Sequence, residues 1–166
     1  LYMAAKAEEQ APILLGALRQ NMVKLSVEKV SGAHPYFVTP EHTAWARKIL
    51  GANAWLCPEQ MVLLEDDADK ARKIARSQIA TYNGLDNYKN NLKQFGFEET
   101  DFENGSSDKL VDAIVAWGDE ETIRNHIQAH WDAGANHVCI QAIKNEVERG
   151  PDLALLELLA PGKNTA

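Results

Sequence analysis

The chain has 166 residues, 45% of them hydrophobic and 25% charged, the composition of one soluble globular domain, which excludes collagen-like, coiled-coil and disordered chains. Seventeen basic against twenty-four acidic side chains give a formal charge of −7, so neither DNA nor an acidic membrane surface is an expected partner. At this length folding buries roughly 68–70% of the unfolded surface, enough for a core without disulfides or a structural metal.

Leu1 to Glu9 reads as the tail of a helix that starts upstream. Short apolar runs then alternate with longer amphipathic stretches, the strand–helix pattern of a parallel sheet. The first strand is Ile13 to Leu18, followed by a helix from about Gln20 to Val30 whose Met22, Leu25 and Val30 recur at helical spacing. A second strand, Ala33 to Val38, runs into Thr39-Pro40-Glu41, where Thr39 suits a helix cap and Pro40 the first helical position. That helix ends at Leu50-Gly51. The third strand, Met61 to Glu65, is apolar without alternation, as when both faces are buried. Asp66 or Asp67 then caps a helix from Ala68 to Tyr82.

From Asn83 to Trp117 the pattern predicts a helical excursion without strands, with helices over Asn87 to Phe95 and Lys109 to Trp117 around an acidic Gly-Ser loop. Gly118-Asp119 starts a helix over Glu120 to Ala133, Gly134 ends it, and His137 to Ile143 is the fourth strand. A last helix, about Asp152 to Leu159, precedes Pro161-Gly162 and a frayed tail from Lys163. Its apolar run is broken by acids and far short of the ~20 residues a membrane span needs. Cys57 and Cys139 share no C-x-x-C spacing and no signal-like segment opens the chain, so a reducing cytoplasm is the expected setting.

Four βα units in one domain amount to half of a (β/α)₈ barrel, whose full form takes ~250 residues, with a small open sheet as the alternative. An isolated half barrel leaves two sheet edges and one apolar face bare, so it needs a second copy or a complementary half.

Gly32-Ala33-His34-Pro35-Tyr36-Phe37-Val38-Thr39-Pro40-Glu41-His42-Thr43, followed by Ala44-Trp45-Ala46-Arg47, resembles the sixth strand and helix of the luciferase-like monooxygenase family, in its deazaflavin-dependent subgroup. Pro58-Glu59-Gln60, Leu110-Val111-Asp112-Ala113 with Trp117-Gly118-Asp119, and Ala133-Gly134-Ala135-Asn136-His137-Val138 agree with that family in order and spacing. The resemblance implies the C-terminal half of a TIM barrel, units five to eight, with the excursion at 83–117 between the last two strands. It implies a hydride-transferring oxidoreductase or monooxygenase acting on a small organic molecule with coenzyme F-420, an 8-hydroxy-5-deazaflavin, or with FMN.

The turn Gly16-Ala17-Leu18-Arg19-Gln20-Asn21 is the cofactor candidate, because N–H groups at a helix start form an anion site whatever the side chains. In the family this turn holds the cofactor phosphate and usually reads Ala-Leu-Gly-Pro-Lys-Met. Ala17, Leu18 and Met22 match, whereas Arg19, Gln20 and Asn21 replace Gly, Pro and Lys. Arg19 can offer a bidentate contact instead; the alternative is an ordinary βα turn with an exposed arginine. His34 and Tyr36 share a strand face and are substrate candidates if that face points into the barrel; otherwise they are packed core residues.

His42, in the first turn of its helix, is expected at the surface. His126 and His130, four apart, suit a metal by spacing alone and lack a third ligand. Glu59 and Gln60 fall at the end of the barrel opposite the chemistry, and Cys139 reads as a small buried apolar residue. No Gly-x-Gly-x-x-Gly, Gly-x-Ser-x-Gly or P-loop occurs. The family's acid and base residues lie mostly in the first half of the barrel, so no catalytic residue is assigned. The competing expectation is a catalytically inactive half barrel that serves as an assembly module.

Overall fold

The computed structural model describes residues 9–144 and 150–162. The helix tail expected over Leu1 to Glu9, Glu9 itself apart, and the tail from Lys163 lie outside them.

The fold is mixed α/β with parallel strands. In chain order β1 (Leu14–Leu15), α1 (Gln20–Lys29), β2 (Gly32–Ala33), α2 (Pro40–Leu50), β3 (Trp55–Leu56), β4 (Glu59–Leu64) and α3 (Ala68–Asn83) make up the first half. They are followed by α4 (Asp86–Lys93), a 3₁₀ turn (Glu99–Phe102), α5 (Asp108–Ile114), β5 (Val115–Gly118), α6 (Glu120–Asp132), β6 (Cys139–Ala142) and α7 (Leu153–Leu159). The predicted punctuation recurs. Pro40 opens α2 behind Thr39, Gly51 closes it at φ 71°, and the carboxylates of Asp67, Asp119 and Asp152 accept N–H bonds at the starts of α3, α6 and α7. Thr39 stands at its cap position but makes no side-chain cap bond.

The strands form two three-stranded parallel sheets, in the orders β1-β2-β3 and β5-β4-β6. β2 pairs with β1 on one edge and β3 on the other, and β4 carries β6. β3 and β4 form one extended segment. Cys57 N donates to Ala33 O and Glu59 N to Pro35 O on one edge, while Leu56 O and Pro58 O accept from Asn136 N and Cys139 N on the other. Pro35 and Pro58 have no N–H to give, so the regular ladder lapses between the two pieces.

Two strands were not expected, the short β3 ahead of the third predicted one and a strand inside the excursion. Val115–Gly118 is not the end of a helix but β5, which pairs with Met61–Leu64 along the edge that β2 serves earlier in the same segment. Its side chains alternate between two cores. Val115, with Met61 and Leu63, faces the helices of the excursion through Ile79, Leu92 and Leu110, while Ala116, with Val62 and Ala142, faces α6 and α7 through Ile123, Leu155 and Leu159. The sheet face expected to be bare is therefore covered by α3 to α5. A third core joins Val23, Ala33, Ala46, Leu50 and Leu56 around β1–β3.

The stripe of α1 differs from expectation. α1 packs through Val23 and Ser26, leaving Met22 and Leu25 exposed; α7 buries Leu155 and Leu159 and only part of Leu156.

Candidate cofactor turn and strand-end site

The turn after β1 leads straight into α1. Ala17 and Leu18 are buried, anchoring it, while Gly16 and Arg19 are exposed. Arg19 is the N-cap residue in extended backbone, with no side-chain cap and no acidic residue in the first turn of α1. Every other described helix of eight residues or more starts with an acid in its first turn: Glu41 in α2, Asp69 in α3, Asp86 in α4, Glu120 and Glu121 in α6. No acid in its own first turn compensates the positive end of the α1 dipole. Open space surrounds the position a Cβ would take at Gly16.

The turn is held from behind. His42, expected at the surface, is fully buried, and its Nε2–H donates to Leu18 O at 2.7 Å. It packs against Trp45 and Phe95, which cover the first turn of α2 from outside. Burial pushes its imidazole down to about 4, so it is neutral at pH 7.

His34 and Tyr36 have different hydrogen-bond partners. His34 Nδ1 bonds Cys57 O across the sheet. Tyr36 reaches over β4, its hydroxyl donating to Gln141 Oε1 at 2.9 Å, and its ring meets Tyr82 and Tyr88 with centroids 5.0 and 6.4 Å away. Burial, then the neighbouring Tyr82 hydroxyl, hold its phenol well above the usual range, so it stays protonated.

Glu59 and Gln60 are both buried and do not sit apart from these residues. Pairing of Trp55–Leu56 with Gly32–Ala33 brings the start of β4 level with residues 35–37. Glu59 Oε2 accepts the Phe37 N–H, at 3.4 Å, where Phe37 leaves the strand at φ 60°. Burial raises its carboxyl to about 7. Gln60 instead bonds His130: the imidazole Nε2–H donates to Gln60 Oε1 at 3.0 Å, and its Nδ1 accepts from the Thr43 hydroxyl at 2.8 Å. Burial pushes His130 down to about 4. This histidine joins α2, α6 and β4 and takes no part in a site with His126. Among the described residues no group of three or more His, Cys, Asp or Glu suits a metal ion. Cys139 is only partly buried, beside Glu59 in the register of β6.

An open cleft of about 410 Å³ lies at the carboxyl ends of β4 and β5 and is lined by Asp66, Asp112, Trp117, Asp119, Thr122 and His126. Asp112 is already bound bidentately by Arg72, at 3.0 and 2.6 Å, and by Trp117 Nε1–H. The acids at the start of α6 make this end unsuited to an anion.

No protein-family model and no curated protein matches this sequence. Solved structures match the fold. An F-420-dependent secondary alcohol dehydrogenase, in complex with an F-420–acetone adduct, superposes on 81% of this chain with a TM-score of 0.58 at 14% identity. The coenzyme F-420-dependent tetrahydromethanopterin reductase of Methanopyrus kandleri superposes on 77% with a TM-score of 0.52 at 18% identity. This chain spans 44% of the length of each. At such identities the likeness shows the shared fold. No described helix is long and apolar enough to cross a membrane.

Proposed function

We propose that this chain is the cofactor-phosphate-binding, C-terminal part of an F-420-dependent oxidoreductase of the luciferase-like type, acting on a small organic substrate. The observation that carries this reading is the start of α1, whose own first turn has neither acid nor side-chain cap and which has Arg19 beside it. It follows a parallel strand, where α/β folds bind ligands. The residues fit a phosphate: backbone N–H groups of the turn and the Arg19 guanidinium would hold it, while His42 fixes Leu18 from behind. The deazaflavin, when bound, supplies the hydride chemistry. FMN presents the same phosphate and is the alternative cofactor. Tyr36, partly buried and with a protonated hydroxyl, is the substrate-side residue of this reading; His34, committed to Cys57 O, is a positioning residue.

The test is calorimetric. Arg19→Ala in the full-length protein should weaken F-420 binding by roughly 1.5–3 kcal/mol, the range of a hydrogen bond to a charged group, and flatten its salt dependence. A phosphate-free analogue should lose nothing. Equal losses for both ligands would place Arg19 elsewhere in the chemistry.

The assembly-module reading has its own observation. β1 is an open edge strand, and near it Ile13, Met22, Leu25 and Val27 are exposed. An unpaired edge and apolar surface of this kind suit a second copy or a complementary barrel half. Sedimentation velocity of this chain at micromolar concentration should show a dimer or larger species; a folded monomer of 18.4 kDa would rule the surface out as a self-pairing one.

A further inference from the structure

Among the described residues, Thr39 Oγ1, His42 Nδ1, Glu59 Oε1, Asn83 Oδ1 and both amide atoms of Asn91 are buried without a protein hydrogen-bond partner; Asn83, at the end of α3, is already held through its Nδ2 by Ser106. Interiors seldom tolerate such groups, and each asks for an explanation. Their location supplies one. Tyr88 at the front of α4 packs on Phe37, with centroids 5.5 Å apart, and Phe95 just beyond α4 packs on His42 at 5.3 Å. Asn91 is three residues after Tyr88 and four before Phe95, so along the chain it falls between the ring that packs on Phe37 and the ring that packs on His42. Glu59 adjoins the seam between α4 and residues 37–42 through its bond from Phe37 N–H. Five of the six unpartnered atoms thus belong to α4, to residues 37–42 or to the Glu59 side chain that Phe37 contacts. Asn91 is only 1% exposed there.

The covering element is slight. α4 has eight residues, its Asp86, Asn87, Asn90 and Lys93 face solvent, and it is bracketed by Gly84 and by Gly96, the latter at φ 89° with open space around it. It is held over the seam by aromatic rings, while the polar atoms beneath it gain nothing from its closure.

We infer that α4 is a lid and that the seam beneath it, lined by Thr39, His42, Glu59 and Asn91, binds a small uncharged molecule carrying hydroxyl or carbonyl groups. Asn91 and Thr39 each supply a donor and an acceptor, and His42 Nδ1 an acceptor, a balanced set that fits a neutral polar molecule better than an ion. The elevated Glu59 carboxyl agrees, since its neutral form can also donate. His42 joins this seam to the Leu18 carbonyl of the turn after β1.

The experiment uses the full chain with isotopic labels and three probes: propane-1,2-diol, propionate and propylammonium. The diol should produce saturable NMR shifts at the Asn91 side-chain amide and at Thr39, and should slow hydrogen exchange over residues 84–96. Asn91→Leu and Thr39→Val should each weaken the diol by roughly tenfold, as expected for one well-placed hydrogen bond. Retained dispersion of the α6 and α7 resonances shows that the variants fold. Absence of a saturable shift, equal diol affinity in wild type and Thr39→Val, or preference for either ion would overturn the site. The probes bear no phosphate and no cofactor is added, so the outcome is separate from that of the cofactor reading.

Discussion

Replacing Arg47 with alanine should destabilise the protein by about 1.5–3 kcal/mol in urea unfolding with little change in the slope, because four half-buried or exposed acceptors on three connections lose one charged donor at once. Arg47, on α2, donates through Nε to Gly134 O at 2.8 Å and through Nη1 to Gly51 O and Ala54 O at 2.6 and 2.9 Å. Its Nη2 reaches Asn136 Oδ1, which also accepts Leu56 N–H at 2.9 Å. One guanidinium thus ties the end of α2, the entry to β3 and the α6–β6 connection. Gly134 admits it: φ is 98°, and a Cβ there would lie 2.8 Å from Arg47 Cγ. Arg47→Lys should recover little, since an ammonium lacks the planar fork. A loss below about 1 kcal/mol for Arg47→Ala would show that water replaces these bonds.

The second large effect is on pH dependence. His42 and His130 are buried neutral, at about 4 against an ordinary 6.5, so the unfolded chain binds more protons between those values. Their stabilisation is complete above pH 6.5 and is lost as pH falls towards 4, about 3 kcal/mol for each. Glu59 has the opposite sign. Raised to about 7 from 4.5, it binds its proton more tightly folded than unfolded, so it stabilises below pH 4.5 and loses that contribution as pH rises to 7. Between pH 7 and 4.5 one carboxyl offsets one histidine, and the net loss on acidification should be about 3 kcal/mol. Glu59→Gln, which keeps an acceptor for Phe37 N–H but does not titrate, should roughly double it. The carboxylates held low, Asp101 and Asp119 through hydrogen bonds and Asp112 through Arg72 and Trp117, act below this window. Urea midpoints at pH 7, 6, 5 and 4.5 give the answer; an unchanged or shallower slope for Glu59→Gln would contradict the assignment.

Much of the fold was legible in punctuation. Thr39-Pro40, Gly51, Asp67, Asp119 and Gly134 mark helix ends because each has a local physical reason to be there. β5 was not, because the helical spacing of Leu110, Val111 and Ile114 runs into Val115 without a Gly or Pro to break it. The signal present was the β-branched Val115 followed by Ala116-Trp117-Gly118, a short apolar run closed by glycine. Burial of His42 and Glu59 was illegible for another reason: it depends on the stagger of β4 against β2 and on Phe95 folding back, neither of which is local in sequence. The turn at 16–19 was legible by position; that its helix start is free of acids became informative only beside the acid-bearing starts of the others.

The central claim is that the start of α1 holds the cofactor phosphate. Titration of the ¹⁵N-labelled full-length protein with F-420 tests it most directly. The largest amide shifts should fall on Gly16 to Gln20, with Arg19→Ala reducing them, while the amides of Asp119 to Glu121 stay still. Shifts centred on the start of α6, or a turn at 16–19 that does not respond to saturating cofactor, would contradict it.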